Sequence, residues 1–289
     1  MTNWTAANLP SFAGRTVIVT GANSGLGEVT ARELARVGAK VILAVRNTSK
    51  GETAAAGMPG DVEVRALDLS SLSSVRDFAA GIIQVDVLVN NAGIMAVPYA
   101  ETADGFESQI GTNHLGHFAL TNLLLPKITG RVVTVSSMMH LMGRVNVKDL
   151  NWKARPYFAW PAYGQSKLAN LLFTTELQHR LDRAGSTLTS VAAHPGYSAT
   201  NLQGKTGSRL GTSFWDAGNK LFATNADFGA RQTLYAVSQD LPGDSFVGPR
   251  FLSRGATQRV GRSPLARKAK TATALWELSE QLTGTRFSL

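Results

Sequence analysis

Residues 15–38, RTVIVTGANSGLGEVTARELARVG, constrain the fold more than any other stretch. RTVIVT is a short β-branched run of the kind that favours a strand. It leads directly into a turn carrying Gly21, Gly25 and Gly27, spaced G-x-x-x-G-x-G. A helical pattern follows through Val37 and stops at Gly38, a residue suited to closing a helix. A strand, a tight turn and a helix in this order pack best when the helix crosses over to a parallel neighbouring strand.

The alternation continues along the chain. Residues 40–45, 62–66, 86–89, 131–135 and 188–193 read as strands, and 246–247 as a brief edge strand. Helical patterns cover residues 49–56, 71–80, 103–128, 163–181, 228–239 and 269–282. The strands are near-continuous apolar runs, as a sheet covered on both faces requires. The expected fold is α/β: a doubly wound parallel sheet of about seven strands with helices on both faces. Residues 1–289 are expected to form a single domain, with 14–248 as its core, 203–224 as a lid and 249–289 as a C-terminal extension.

Composition excludes several function classes. There is no cysteine, hence no disulfide, thiolate metal site or cysteine nucleophile, and a cytoplasmic location is expected. Residues 1–11 lack the basic and apolar regions of a signal peptide. No apolar run approaches the ~20 residues of a membrane span, so no membrane anchor is expected. The net charge of +9 raises the question of nucleic acid. The late basic residues Arg250, Arg254, Arg259, Arg262, Arg267, Lys268 and Lys270 lie among Gly, Ser and Pro without interleaved aromatics. They read as a solvated basic face, and no nucleic-acid partner is expected. His114 and His117 are three apart on a helix but lack an evident third ligand, so no metal is expected. His140 near Ser137 is not read as a hydrolase pair, because no G-x-S-x-G elbow is present.

The chemistry centres on Tyr163-Gly164-Gln165-Ser166-Lys167. Residues four apart share a helix face, so a phenol and an ammonium stand together. A free phenol has a pKa near ~10, and a nearby cation lowers it. The pair suits general acid/base work on a carbonyl or alcohol, although Tyr and Lys at this spacing are more often a surface pair. The glycine turn supplies the second half of the argument. Unpaired amides at a helix N-terminus attract phosphate, and glycines let the backbone approach it closely.

Together these motifs resemble the short-chain dehydrogenase/reductase family, in order and in register over about residues 14–248. Thr20-Gly21-Ala22-Asn23-Ser24-Gly25-Leu26-Gly27 is similar to its cofactor turn, and Asn90-Asn91-Ala92-Gly93 to its NNAG motif. Asn113, Ser137, Tyr163 and Lys167 match its catalytic tetrad, and Pro195-Gly196 with Thr200 the turn that closes over the nicotinamide. The stretches VILAVRN, VSSMMH, YGQSKLANLLF and HPGYSAT most resemble the retinol-dehydrogenase-like branch, and the tail SFVGPRF…VGRSP its actinobacterial relatives.

The resemblance implies a Rossmann-like fold and a hydride transfer that interconverts a carbonyl and an alcohol. Tyr163 would be the general acid/base, Lys167 would lower its pKa and hold the nicotinamide ribose, Ser137 would polarise the substrate oxygen, and Asn113 would support a proton-relay water. Asp68 and Leu69 would meet the adenine. The end of the second strand reads Ala44-Val45-Arg46-Asn47, with no acid for the ribose hydroxyls and a guanidinium able to fork a 2′-phosphate, so NADP(H) is expected over NAD(H). Ser137 and Tyr163 are 26 positions apart (163 − 137), and the interval holds Trp152, Tyr157, Phe158 and Trp160. With Phe214, Trp215, Leu221 and Phe222 of the lid they suggest a wall for a bulky lipophilic substrate. Relatives pair through the helices that here hold Asn113 and Tyr163, which implies a homodimer or homotetramer. The alternative reading is a non-catalytic NADP(H)-sensing regulatory protein of the same fold.

Overall fold

A computed structural model describes residues 4–196, 226–251 and 253–289. The expected lid and Thr200 lie outside them. The described strands are β1 (Thr16–Thr20), β2 (Lys40–Val45), β3 (Val62–Ala66), β4 (Val85–Asn90), β5 (Ile128–Val135), β6 (Thr189–Ala193), β7 (Phe246–Phe251) and β8 (Arg254–Arg259). They form one sheet in the order β3-β2-β1-β4-β5-β6-β7-β8, parallel as far as β7. The fold is the Rossmann-like α/β arrangement expected, with one strand added. β8 runs antiparallel to β7, with Val247 opposite Arg259. The sheet thus continues beyond residue 248, and β7 is an interior strand. RGATQR has the charged, polar composition of a protected edge, which explains why it carries no apolar signal.

Side chains on each strand alternate between two cores. Ile18, Ile42, Leu88 and Val132 face one side, where they meet Phe118, Phe173 and Trp276. Val17, Val19, Val41, Leu43, Val87 and Val133 face the other, against Leu34, Ala230 and Leu234. Burial on both faces is what makes the strands continuous apolar runs. On the second side lie α1 (Gly25–Arg36) and the helix Ala226–Ser238.

The expected helix over 103–128 is shorter and interrupted. It begins at Ser108, where the Glu107 carboxylate caps the amides of Gln109 and Ile110. Residues Gly111–Leu115 widen into a π turn, closed by the Gly116 N–H on the Gly111 carbonyl. A regular segment, Gly116–Leu124, ends in a 3₁₀ turn, Leu125–Lys127, where Pro126 has no N–H to continue the helix, and Ile128 already pairs with Val85. π turns recur at functional sites, and Asn113 sits inside this one.

The C-terminal helix, Ala269–Thr283, lies on the face through which pairing was expected. Its Trp276 packs edge-on to Phe118 at 4.8 Å and stacks on Phe173 at 5.7 Å. Its Ser279 hydroxyl meets His114 Nε2 at 3.1 Å, and Thr273 donates to Glu176 at 3.1 Å. The helix holding Tyr163 and the one holding Asn113 are therefore covered in part by their own chain.

Candidate active site

The helix Ala159–Arg183 carries Tyr163 and Lys167 on its first turns, and both side chains are buried. It is locked to the end of β5. Ser136 Oγ donates to the Lys167 carbonyl at 2.8 Å, and Asn170 Nδ2 to the Val135 carbonyl at 3.1 Å. Ser137, the next residue after Ser136, caps a 3₁₀ turn by accepting from the Met139 N–H at 3.2 Å. Its hydroxyl stands near enough to the Tyr163 phenol to lower it.

The electrostatics differ from the expectation that Lys167 lowers the phenol. Burial pushes Tyr163 up to about 12, and Ser137 opposes this only in part. Lys167 Nζ lies over the Tyr163 ring, 5.7 Å from its centroid, and donates to the Val135 carbonyl at 3.2 Å. Burial in turn lowers Lys167 to about 8, so it is still a cation at neutral pH. Desolvation outweighs the influence of Ser137, and the phenol holds its proton at neutral pH.

Asn113 joins this group through Gly93. A Cβ built on Gly93 would lie 3.0 Å from Asn113 Oδ1 and 3.5 Å from Lys167 Nζ, so this strand end approaches both side chains closely and a larger residue would press on the Asn113 amide. The Asn113 side chain is well engaged. Its Oδ1 accepts from the Ile94 N–H at 2.8 Å, and its Nδ2 donates to the Ile94 carbonyl and to Ser166 Oγ, each at 2.9 Å. This amide is a clamp between the loop after β4 and the tyrosine helix.

The glycine turn faces the same crevice. Gly21 has φ +65°, and a Cβ there would lie 2.9 Å from Ala92 Cβ. Ser24 is the N-cap of α1, but its side chain makes no capping hydrogen bond. The first-turn amides around Gly25, Leu26 and Gly27 are thus left uncapped by Ser24, next to Asn23. Such a cradle fits a pyrophosphate. Arg46 is exposed just beyond β2, and Asn47 caps the helix Thr48–Ala56.

Other expected residues are placed less directly. Asp68 Oδ1 is taken by Ser70, from N–H at 2.9 Å and Oγ at 2.6 Å, in a local turn. Leu69 buries its side chain in the core that also holds Leu115. Asn90 is buried, with Nδ2 on Thr121 Oγ1 at 3.0 Å and Oδ1 unsatisfied. Pro195 and Gly196 follow β6, where the Gly196 N–H donates to His194 Nδ1 at 3.2 Å. The two helical histidines diverge: His114 reaches Ser279 and His117 reaches Thr20. Among the described residues no cluster of three His, Asp or Glu could hold a metal.

The aromatic interval divides. Trp152 packs on Tyr157 at 5.7 Å beneath Arg155, whose guanidinium lies 3.7 Å from a Trp152 ring centroid. These are internal loop contacts, held by Tyr157 with Gln109 and Glu107. Trp160 stands edge-on to Tyr163 at 6.3 Å, and Phe158 is exposed. Sequence reasoning did not single out Asn170 or Gln109. A polar residue recurring within an apolar helix face is the signal that could have found Asn170.

The profile of the family described as short chain dehydrogenase matches residues 15–211. Retinol dehydrogenase 13 of Homo sapiens is 43% identical over 296 residues, covering 95% of this chain and 86% of its own. A protein of Mycobacterium paratuberculosis with a crystal structure is 68% identical, with a TM-score of 0.91 and coverage of 100% of both chains. A short chain dehydrogenase/reductase of Burkholderia phymatum, crystallised in complex with NAD, is 22% identical with a TM-score of 0.61. That likeness, over 78% of this chain and 86% of the other, is one of fold.

Proposed function

The chain belongs to the short chain dehydrogenase family, NAD(P)-dependent oxidoreductases acting on carbonyls and alcohols, and from that premise we propose that it acts on a bulky lipophilic substrate with Tyr163 as its general acid/base. The carrying observation is the meeting of the Tyr163 phenol with the Ser137 hydroxyl, beside Lys167 and the Asn113 clamp. When bound, the dinucleotide supplies or accepts the hydride. Gly21, Asn23, Ser24, Gly25, Leu26 and Gly27 would hold its pyrophosphate, and Asp68, Leu69, Asn90, Ala92, Gly93, Pro195 and Gly196 would line the remainder of its site.

Tyr163 holds the proton that the substrate oxygen receives in reduction. Ser137 donates to that same oxygen and polarises the carbonyl. In oxidation the phenolate must form first, and burial disfavours it. Alcohol oxidation is accordingly expected to quicken with rising pH more steeply than carbonyl reduction, which draws on the protonated phenol. Lys167 keeps a positive charge over the ring until pH rises through about 8. Asn113 positions the loop after β4 and acts through it.

A lipophilic substrate is supported by the apolar side chains near the carboxyl ends of the strands. Leu141 and Met142 follow β5, Phe158 precedes the tyrosine helix and Phe251 ends β7, all more than half exposed. The similarity to retinol dehydrogenase 13 points the same way. A screen of retinoids, sterols, long-chain aldehydes and polycyclic ketones, followed by absorbance of the reduced cofactor, tests this. Turnover confined to small polar carbonyls would overturn it.

NADP(H) is the proposed carrier, because the end of β2 presents Arg46 and no acid. Arg46→Ala is expected to lower kcat/KM for NADPH about tenfold, the loss of one charge-assisted hydrogen-bond pair, and to leave NADH little changed. A wild-type preference for NADH would overturn the assignment.

A further inference from the structure

The ring of His117 has a hydrogen-bonding state that its partners determine. Its Nδ1 lies 3.1 Å from the main-chain oxygen of Asn113. A carbonyl oxygen only accepts, so Nδ1 carries the proton. The ring is buried and neutral, held to about 4 by desolvation and by the charge of Lys167, so Nε2 is bare. Thr20 Oγ1 lies 2.9 Å from Nε2 and must donate to it. The same hydroxyl accepts from the N–H groups of Asn91 and Ala92, each at 2.9 Å. Both lone pairs of Thr20 and its proton are therefore committed.

The chain of bonds runs from the Asn113 carbonyl through the ring to Thr20, then to the Asn91 and Ala92 amides. Thr20 precedes Gly21, and Ala92 is the residue against which Gly21 closes. We propose that His117 is a positioning residue for the nucleotide cofactor: as the Nδ1–H tautomer it ties the π turn around Asn113 to the joint between the glycine turn and the loop after β4. The proposal rests on the assignment of that joint to the cofactor site.

No other tautomer serves. With the proton on Nε2, two donors would face each other at Thr20 or the hydroxyl would take a third donor, and the Asn113 carbonyl would meet a bare nitrogen. The hydroxyl's alternative acceptor, the Val89 carbonyl, lies at 3.4 Å, a poor replacement. The ionisable groups around the ring are Lys167 on the tyrosine helix and His114 on its own helix. From β1 and the end of β4 it meets Thr20, which in turn bonds main-chain amides.

Two measurements test this. In the full-length protein without nucleotide, ring ¹⁵N spectra are expected to show His117 as the Nδ1–H form, uncharged well below its ordinary value of 6.5. An Nε2–H ring, or one charged at neutral pH, overturns the proposal. In the second, NADPH binding is followed by fluorescence. His117→Phe fills the space without polar atoms and is expected to raise the Kd about tenfold, the cost of unpaired buried partners. His117→Gln, which keeps an acceptor near Thr20, recovers most of that loss. Thr20→Val and His117→Phe combine less than additively, as members of one network do. Full additivity, or an unchanged Kd in His117→Phe, overturns the proposal. If His117→Phe does not fold, the Gln variant and the ring spectra carry the test. A wild-type protein that binds neither NADPH nor NADH removes the cofactor reading instead, and the tautomer result stands apart from it.

Discussion

Tyr163→Phe is expected to lower kcat/KM about 1,000- to 10,000-fold while leaving the Kd for NADPH within about twofold of wild type. The substitution keeps the ring that Lys167 overlies and that Trp160 contacts edge-on, so packing is conserved. Only the hydroxyl beside Ser137 is lost. Stopped-flow or steady-state turnover, with NADPH affinity measured separately, separates loss of the proton donor from loss of the site. A variant retaining a tenth or more of wild-type turnover would remove the tyrosine from the chemistry. Ser137→Ala is the companion measurement, since it withdraws the one influence on the phenol that opposes burial.

The second large effect is acid lability. Four buried histidines are held neutral: burial lowers His114 to about 3, His117 and His194 each to about 4, and His140 by a smaller amount. An unfolded chain takes up protons on these rings as pH falls through 6.5. The folded chain does not until pH nears the lowered values. The stability they contribute is therefore complete above pH 6.5 and is lost progressively down to about 4. For His117 and His194 the linkage amounts to on the order of 3 kcal/mol each, a large share of the ~5–15 kcal/mol that holds a domain folded. Glu107 works in the opposite sense, because burial raises its carboxyl and the folded chain binds that proton first. One carboxyl offsets only part of four rings. Urea midpoints are expected to fall steeply between pH 6.5 and 4.5, and a flat profile over that interval would contradict the neutral buried rings.

Much of this architecture was legible because strands buried on both faces are apolar at every position. β1 and β2 alternate between two cores, so no polar residue interrupts them. β8 was not legible for the converse reason: an edge strand with the sequence RGATQR pairs through its backbone and leaves no hydrophobic trace. The interruption of the helix around Asn113 was hidden by apolar periodicity, although Glu107 as a cap and Pro126 as a stop lay in plain view. At the site, helical spacing correctly placed Tyr163 and Lys167 together. It could not report that both are buried, and burial is what raises the phenol and lowers the ammonium. The histidine tautomers were beyond reach because their partners come from β1, from the turn after β5 and from residue 263. Pairing through the tyrosine helix was inferred from relatives. An amphipathic pattern over 269–282 shows that a helix has an apolar face, and gives no clue to what it covers.

That C-terminal helix also couples a late part of the chain to the helices that carry the chemistry. Trp276 completes the aromatic cluster with Phe118 and Phe173, which lie on the segments that follow Asn113 and Tyr163. Detaching it would bare an apolar flank of both helices to water, so the footing of the site depends on residues far from it in sequence.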